Sequence, residues 1–367
     1  MFLGISLLED TGYLARVAFM LDRVFQIFGL HGSSVMPFIV SGGCAVPGVM
    51  ASRTLKSPKE RLATLLTVPF MNCGAKLPVF ALLVAAFFSQ NEARVMFLVT
   101  LISWVGALLV ARLLRSTVIR REPSPFVMEL PPYRLPTFRG LFLHTWERTW
   151  QYIKKAGTVI LAISILLWAM MTFPGLPESR TQAFEQARAN VLASAPAGML
   201  EHIEAAGEET TLSAQAEAVK HQLNAIEAEQ AMAGLRHSAA GRIGTFLEPV
   251  SRLAGFDWRT NIALLGGFAA KEVVVSTLGT AYSLSEVDPE ENRSLARTLS
   301  ASPAWSPLAA WSLIVFTMFY APCFVAVVCI AREAGSWKWG AFSVIFNTAL
   351  ALALSIAVFQ IDSLLSL

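Results

Sequence analysis

Charge is what this chain has least of. Asp, Glu, Lys and Arg make up only 15% of its 367 residues, against roughly 25% in an average soluble domain. Histidine is sparse as well. His31, His144, His202, His221 and His237 stand far apart, with no His-Glu-x-x-His run and no pair at metal-ligand spacing, which excludes a helical zinc site of that kind. No Gly-rich loop ends in Gly-Lys-Ser or Gly-Lys-Thr, so the chain holds no nucleotide through a P-loop. No Gly-x-Ser-x-Gly or Ser/His/Asp arrangement is present, and no catalytic set is visible. Cysteine is limited to Cys44, Cys73, Cys323 and Cys329, too scattered for a disulfide framework. The net charge is only +3, with basic residues spread between apolar runs, which argues against a nucleic-acid-binding face. No basic segment precedes the apolar residues 1–8, so a cleavable signal peptide does not fit.

What is abundant is apolar surface. The chain is 54% hydrophobic, with 24 Phe and 9 Trp, which excludes disorder. A membrane crossing needs about 20 mostly apolar residues. Residues 95–111, 156–177, 298–331 and 339–361 run free of charge and are read as spans, with Trp305, Trp337 and Trp339 as interface anchors. Three further apolar stretches are interrupted. Residues 24–52 contain Pro37, Gly42, Gly43, Pro47 and Gly48; 62–88 contain Pro69, Gly74, Lys76 and Pro78; 261–282 contain Gly266, Gly267, Lys271 and Glu272. Backbone that unwinds at membrane depth is tolerated only inside protein or beside a water-filled cavity, and in transporters such breaks line the substrate site.

The few charges orient the chain. Residues 112–155 hold nine Lys or Arg against three acids, and 174–240 hold four against nine Glu. The positive-inside rule places the first loop in the cytoplasm and the second outside. Leu141, Trp146, Trp150 and Ile153, with basic residues between them, suit an amphipathic helix on the cytoplasmic interface. The Ala-, Glu- and Gln-rich 178–240 segment reads as one or two exposed helices.

The sequence also repeats. Leu21-Asp22-Arg23-Val24 followed by Gly29 matches Leu247-Glu248-Pro249-Val250 followed by Gly255. Gly42-Gly43-Cys44-Ala45 with Val49 and Ser52 matches Gly266-Gly267-Phe268-Ala269 with Val273 and Ser276. Phe70-Met71-Asn72-Cys73 resembles Tyr320-Ala321-Pro322-Cys323. With residues 33–52 re-entrant, three crossings separate the repeat starts, so the second unit is inverted. The expected fold is an all-α polytopic transmembrane protein with two inverted gate repeats containing broken or re-entrant helices. Its expected parts are a first gate repeat over 1–118, a cytoplasmic basic loop and interfacial helix over 119–155, and a transmembrane helix over 156–177. An extracytoplasmic polar helical loop over 178–240 and a second gate repeat over 241–367 complete it.

Cys44 and Cys73 fall where helices should unwind, each beside freed backbone carbonyls. Sulfur with oxygen donors suits a partly dehydrated transition-metal ion such as Fe²⁺ better than Na⁺ or Mg²⁺. The alternative is that each is a small buried hydrophobe. Cys323, after Pro322, is a third candidate, and Cys329 is read as packing. Lys271 and Glu272 stand side by side in a break. Glu272 could attract a cation that Lys271 balances in the empty state, or the two could form a structural ion pair. Lys76 is similar, with snorkelling to an interface as its plainer reading.

Together these motifs resemble the membrane region of ferrous iron transport protein B. Its first gate is matched by Glu9-Asp10-Thr11-Gly12-Tyr13-Leu14-Ala15-Arg16, Gly43-Cys44-Ala45-Val46-Pro47, Ala51-Ser52-Arg53-Thr54-Leu55 and Pro69-Phe70-Met71-Asn72-Cys73-Gly74-Ala75-Lys76-Leu77-Pro78. Its second gate is matched by Gly267-Phe268-Ala269-Ala270-Lys271-Glu272-Val273-Val274-Val275-Ser276, and by Tyr320-Ala321-Pro322-Cys323 with Arg332-Glu333. The resemblance implies a multi-pass bacterial inner-membrane importer with Fe²⁺ as the transported substrate and no cofactor in this chain. By position it makes Cys44, Cys73 and Cys323 the metal-contacting residues, with Gly43, Pro47, Asn72, Lys76, Lys271, Glu272 and Ser276 along the pathway or gate. It implies GTP, Mg²⁺ and GTP hydrolysis only with a G domain that is missing here or supplied by a separate chain. The other implied partners are membrane lipid and small cytoplasmic accessory proteins of the iron system; a homo-oligomer is left open and nucleic acid is not expected. The family usually has Asn where this chain has Ala45, and Thr where it has Ala321, so two oxygen donors are missing. The rival readings are a nucleoside or organic-ion transporter of the same gate architecture, and an inactive fragment or membrane scaffold.

Overall fold

The computed structural model describes residues 2–119, 133, 137–153, 157–194, 214–282, 292–302 and 305–365. Among the described residues there are helices and turns but no strand. The first half comprises α1 (Phe2–Asp10), α2 (Tyr13–Ile27), α3 (Val35–Ser41), α4 (Ala45–Ala51), α5 (Pro58–Thr67), α6 (Leu77–Phe87) and α7 (Glu92–Thr117). The middle holds α8 (Phe138–Tyr152), α9 (Thr158–Thr172), α10 (Glu178–Ser194) and α11 (Ala214–His237). The second half comprises α12 (Ala239–Ser251), α13 (Trp258–Ala269), α14 (Val273–Ala281), α15 (Asn292–Ala301), α16 (Pro307–Phe319), α17 (Phe324–Glu333) and α18 (Trp337–Leu365).

Local chemistry sets the helix boundaries. Ser57 caps α5 by accepting from the Glu60 N–H, with Pro58 in the first turn. Ser306 caps α16 through the Ala309 N–H, with Pro307 next, and Asp257 caps α13 through the Thr260 N–H. Each side chain satisfies a donor the helix leaves unpaired. The repeated Gly29 and Gly255 end two helices in the same way. Gly29 has φ 82° and Gly255 has φ 81°. Leu30 N–H donates to Phe25 O at 3.0 Å, and Phe256 N–H donates to Ser251 O at 3.1 Å. The first sequence match is therefore one left-handed helix stop built twice.

The two halves run through the same order of elements, with α15 added in the second. In each, two helices fold back on one another around glycine. A Cβ on Gly48 would lie 2.7 Å from Ser41 Cβ, and one on Gly266 would lie 3.1 Å from Thr277 Oγ1. A helix pair broken near its middle follows, α5–α6 in the first half and α16–α17 in the second. These two broken pairs run antiparallel. Arg61 near the start of α5 meets Glu333 at the end of α17, while Phe87 at the end of α6 stacks on Trp305 just before α16, with centroids 6.0 Å apart.

Three helices are long and apolar enough to cross a membrane: Glu92–Thr117, Pro307–Glu333 taken across its break, and Trp337–Ile361. A fourth candidate is the pair Tyr13–Ile27 and Gly32–Ser41, bent by 112°. The expectation of an all-α polytopic membrane fold is borne out. Along α7, Phe97, Leu101, Val105 and Leu109 are exposed, while Val95, Val99, Ser103, Ala107 and Leu114 are buried. An apolar face of that kind suits lipid. Apolar burial gives little net drive between helices in lipid, so close approach at small residues and backbone satisfaction carry the packing. Gly106 illustrates this, since a Cβ there would lie 2.4 Å from the Phe319 ring.

Residues 298–331 are not the single run expected from their lack of charge. Residues 298–301 finish α15, whose Leu295, Ala296 and Leu299 are buried, and a new helix starts at the Ser306 cap. The Thr158–Thr172 helix has 15 residues, or about 22 Å at the usual rise. In the 112–155 segment, α8 packs on α1. Leu141 is buried there, whereas Trp146 and Trp150 are exposed and stacked at 6.3 Å. Arg120, Arg121, Arg134, Lys154 and Lys155 lie outside the described residues, as do 195–213 and the side chains of Glu9 and Arg148. In 178–240, α10 and α11 pack together, with Arg188 3.3 Å from Glu227.

Candidate functional site

The breaks expose backbone groups, and their partners define the site. In the first half α3 ends at Ser41, and Cys44 is extended at φ −155° and ψ 136° before α4 begins. Pro47 lies in the first turn of α4, where its missing N–H costs no helical bond. Gly43 O accepts from Gly74 N–H at 3.1 Å, which joins the two breaks of this half. The end of α5 leaves four successive carbonyls, and each has a donor. Val68 O accepts from Ser41 Oγ at 2.9 Å, and Phe70 O from Ser103 Oγ at 2.9 Å. Pro69 O and Met71 O accept from Lys76 Nζ at 3.1 and 3.2 Å.

Lys76 also reaches into the other half, donating to Met318 O at 2.9 Å. That carbonyl belongs to the last turn of α16. Lys271 Nζ donates to Ala321 O at 2.7 Å and sits 3.0 Å from the Tyr320 ring centroid. Both lysines are almost wholly buried, at 2% and 3% exposure. Lys76 does not snorkel to an interface. Nor does Lys271 pair with Glu272, whose side chain is on the exposed side of the break. Ser276 is exposed too, and donates to Val273 O at 3.1 Å.

Of the cysteines, Cys44 and Cys323 are brought together. α4 packs on α17, and both residues border a small apolar cluster of Ala45, Val46, Val325 and Ala326. Cys329, read as packing, borders the same cluster with Met50. Cys73 is buried. Among the described residues no three His, Cys, Asp or Glu side chains converge as a metal-holding group, so the sulfurs do not form a closed cage. Next to Cys73, Asn72 Nδ2 donates to Val99 O at 3.4 Å, while its Oδ1 is buried without a partner. Thr317 Oγ1, one turn before the second-half break, is likewise buried without a partner.

Several site residues carry no sequence signal of their own. Ser41, Ser103 and Thr317 look like ordinary small polar residues in apolar helices, and only the backbone groups around them give them a role. Arg53, Arg61 and Glu333 join the halves at one end. Glu333 is 7% exposed and accepts from Arg53, and also from Arg61 at 2.6 Å.

Two inverted halves, each with a glycine-packed hairpin and a broken span, with the breaks facing one another, define a gate-type membrane fold. The chain belongs to the Gate family, described as nucleoside recognition, whose model matches residues 1–87 and 153–337. A second model, the ferrous iron transport protein B C terminus, matches residues 96–148. The chain is 39% identical over 368 residues to the Fe(2+) transporter FeoB of Helicobacter pylori, covering 100% of this chain and 54% of the relative. It is 35% identical over 349 residues to that of Campylobacter jejuni, covering 95% and 49%. A Fe(2+) transport protein A/Fe(2+) transporter FeoB fusion protein of Porphyromonas gingivalis is 39% identical over 369 residues, covering 98% and 41%. The chain thus spans about half the length of the curated relatives it matches, and the resemblance to the membrane region of ferrous iron transport protein B is borne out. No solved structure matches.

Proposed function

We propose that this chain is the membrane part of a ferrous iron transporter, multi-pass in the bacterial inner membrane. The observation that carries this reading is that Cys44 and Cys323 border one apolar cluster at the α4–α17 contact between the two halves. Sulfur and carbonyl oxygen, offered where helices unwind, replace part of the hydration shell of a borderline-soft divalent ion. Asn72 Oδ1, buried without a partner, adds an oxygen donor beside Cys73. The path runs between the two halves past Cys44, Cys73 and Cys323, with Gly43, Pro47, Lys76, Lys271, Glu272 and Ser276 shaping it.

The positive-inside rule puts the basic 112–155 segment in the cytoplasm. The end of α7, the Arg53–Glu333–Arg61 junction and the start of α5 are then cytoplasmic, and Phe87 with Trp305 faces outward. The chain transports rather than catalyses; GTP hydrolysis with Mg²⁺ belongs to the G domain that the family resemblance implies. The fusion with transport protein A in the Porphyromonas relative supports a small accessory partner. In a complete transporter, Cys44→Ser with Cys73→Ser should cut ⁵⁵Fe²⁺ uptake at unchanged expression; normal uptake overturns the cysteine path. The Gate model's description favours a second reading, nucleoside transport, which saturable uptake of labelled nucleoside would support.

A further inference from the structure

We infer that Lys76 and Lys271 are tethered cations seated on the carbonyl oxygens that a passing metal ion takes over. The inference rests on the cargo being a divalent cation, as proposed above. Three observations carry it. First, both ammonium groups are buried in the breaks, and their hydrogen-bond partners are backbone carbonyls: Pro69, Met71 and Met318 for Lys76, and Ala321 for Lys271. Second, among the described residues neither meets a carboxylate. Tyr320 gives Lys271 a ring face instead. Third, each seat adjoins a cysteine of the breaks: Lys76 follows Cys73 by three residues, and Ala321, the acceptor of Lys271, precedes Cys323 by two.

A purely structural role explains this poorly. Burying an ammonium group costs several kcal/mol; at Lys271, with its one carbonyl acceptor, a neutral amide could make the same bond at far less cost, whereas Lys76 uses all three of its donors. The charge is what the carbonyls select. The carbonyl end of a half-helix carries about half a negative charge, and Lys76 bridges the ends of two such helices. In transporters, carbonyls of this kind coordinate the ion. Here a lysine occupies them. A flexible four-carbon stem lets the ammonium withdraw without moving the helix. A divalent ion beside a buried ammonium group is repelled by it, so its arrival forces exchange rather than addition. An ion that binds weakly to carbonyl and sulfur cannot drive that exchange, which makes the lysines a selectivity element.

The test uses the full chain in lipid nanodiscs without oxygen, with ⁵⁵Fe²⁺ binding measured by equilibrium dialysis. In parallel, lysines are reductively methylated and quantified peptide by peptide. Lys76 and Lys271 should resist methylation without metal and react when Fe²⁺ is bound, while exposed Lys56 and Lys338 react equally in both conditions. Bound ⁵⁵Fe²⁺ with Lys76 and Lys271 still protected overturns the inference and leaves the iron reading intact. Absence of ⁵⁵Fe²⁺ binding overturns both. Lys271→Gln keeps a donor for Ala321 O and removes the charge. Where the seated state outweighs the vacated one about nine to one, this variant should bind Fe²⁺ about tenfold tighter, with Lys271→Arg close to wild type. Equal affinity in all three also overturns the inference. If Lys271→Gln fails to fold, the methylation pattern of the unmodified sequence decides.

Discussion

Arg61 Nη2 lies 2.6 Å from Glu333 Oε2, joining residues 272 positions apart in sequence at one end of the antiparallel broken pairs. Arg53 donates to the same carboxylate. Because both arginines are partly exposed, the bridge is worth less than a buried one. Glu333→Gln should cost about 1 kcal/mol, near the upper range for exposed pairs, seen as a lower thermal midpoint in detergent. Arg53→Gln should cost less than Arg61→Gln, since Arg53 is the more exposed, at 54% against 31%.

The Gly106 contact predicts a paired effect. Gly106→Ala gains about 1 kcal/mol of helix propensity but puts a methyl group against the Phe319 ring, and overpacking costs about 1–3 kcal/mol. The single variant should be destabilised. Gly106→Ala with Phe319→Leu should recover part of the loss, which thermal unfolding of both proteins would check.

The two helix stops predict unequal costs. Gly29→Ala and Gly255→Ala each force a side chain into the left-handed region, at about 1–2 kcal/mol. A Cβ on Gly255 would also lie 2.4 Å from the Phe359 ring, whereas one on Gly29 would meet Arg115 Cβ at 3.3 Å. Gly255→Ala should therefore be the worse of the two in a melting experiment.

Cys323 and Cys329 border one cluster but hold different positions. Cys323 stands at the N-cap of α17 in the break, and Cys329 lies inside that helix. Cys323→Ser should lower ⁵⁵Fe²⁺ uptake in a complete transporter, and Cys329→Ser should leave it near wild type. Equal losses would shift the role to the cluster's packing.

Much of the architecture was legible because breaks need residues that announce themselves. Gly42-Gly43, Pro69, Gly74 and Pro322 marked unwinding, and the spacing from Gly29 to Gly255 marked the repeat. The run from 298 to 331 misled because a buried amphipathic helix and a span are equally free of charge there. The Ser306-Pro307 cap was the available signal. Partners of the buried lysines were beyond reach: Lys76 and Met318 are 242 residues apart, and a backbone carbonyl has no sequence identity. The nearness of Glu272 to Lys271 suggested a pair, yet the chain at the break points their side chains apart.

The antiparallel broken pairs are fastened by different chemistry at their two ends. One end is ionic, through Glu333 and its arginines. The other is aromatic, through Phe87 on Trp305 and Phe88 against Trp311 at 5.4 Å. Dissolved electrolyte screens the first and leaves the stacked rings untouched. Raising the ionic strength should therefore weaken the fastening at one end of the broken pairs and leave the other unchanged.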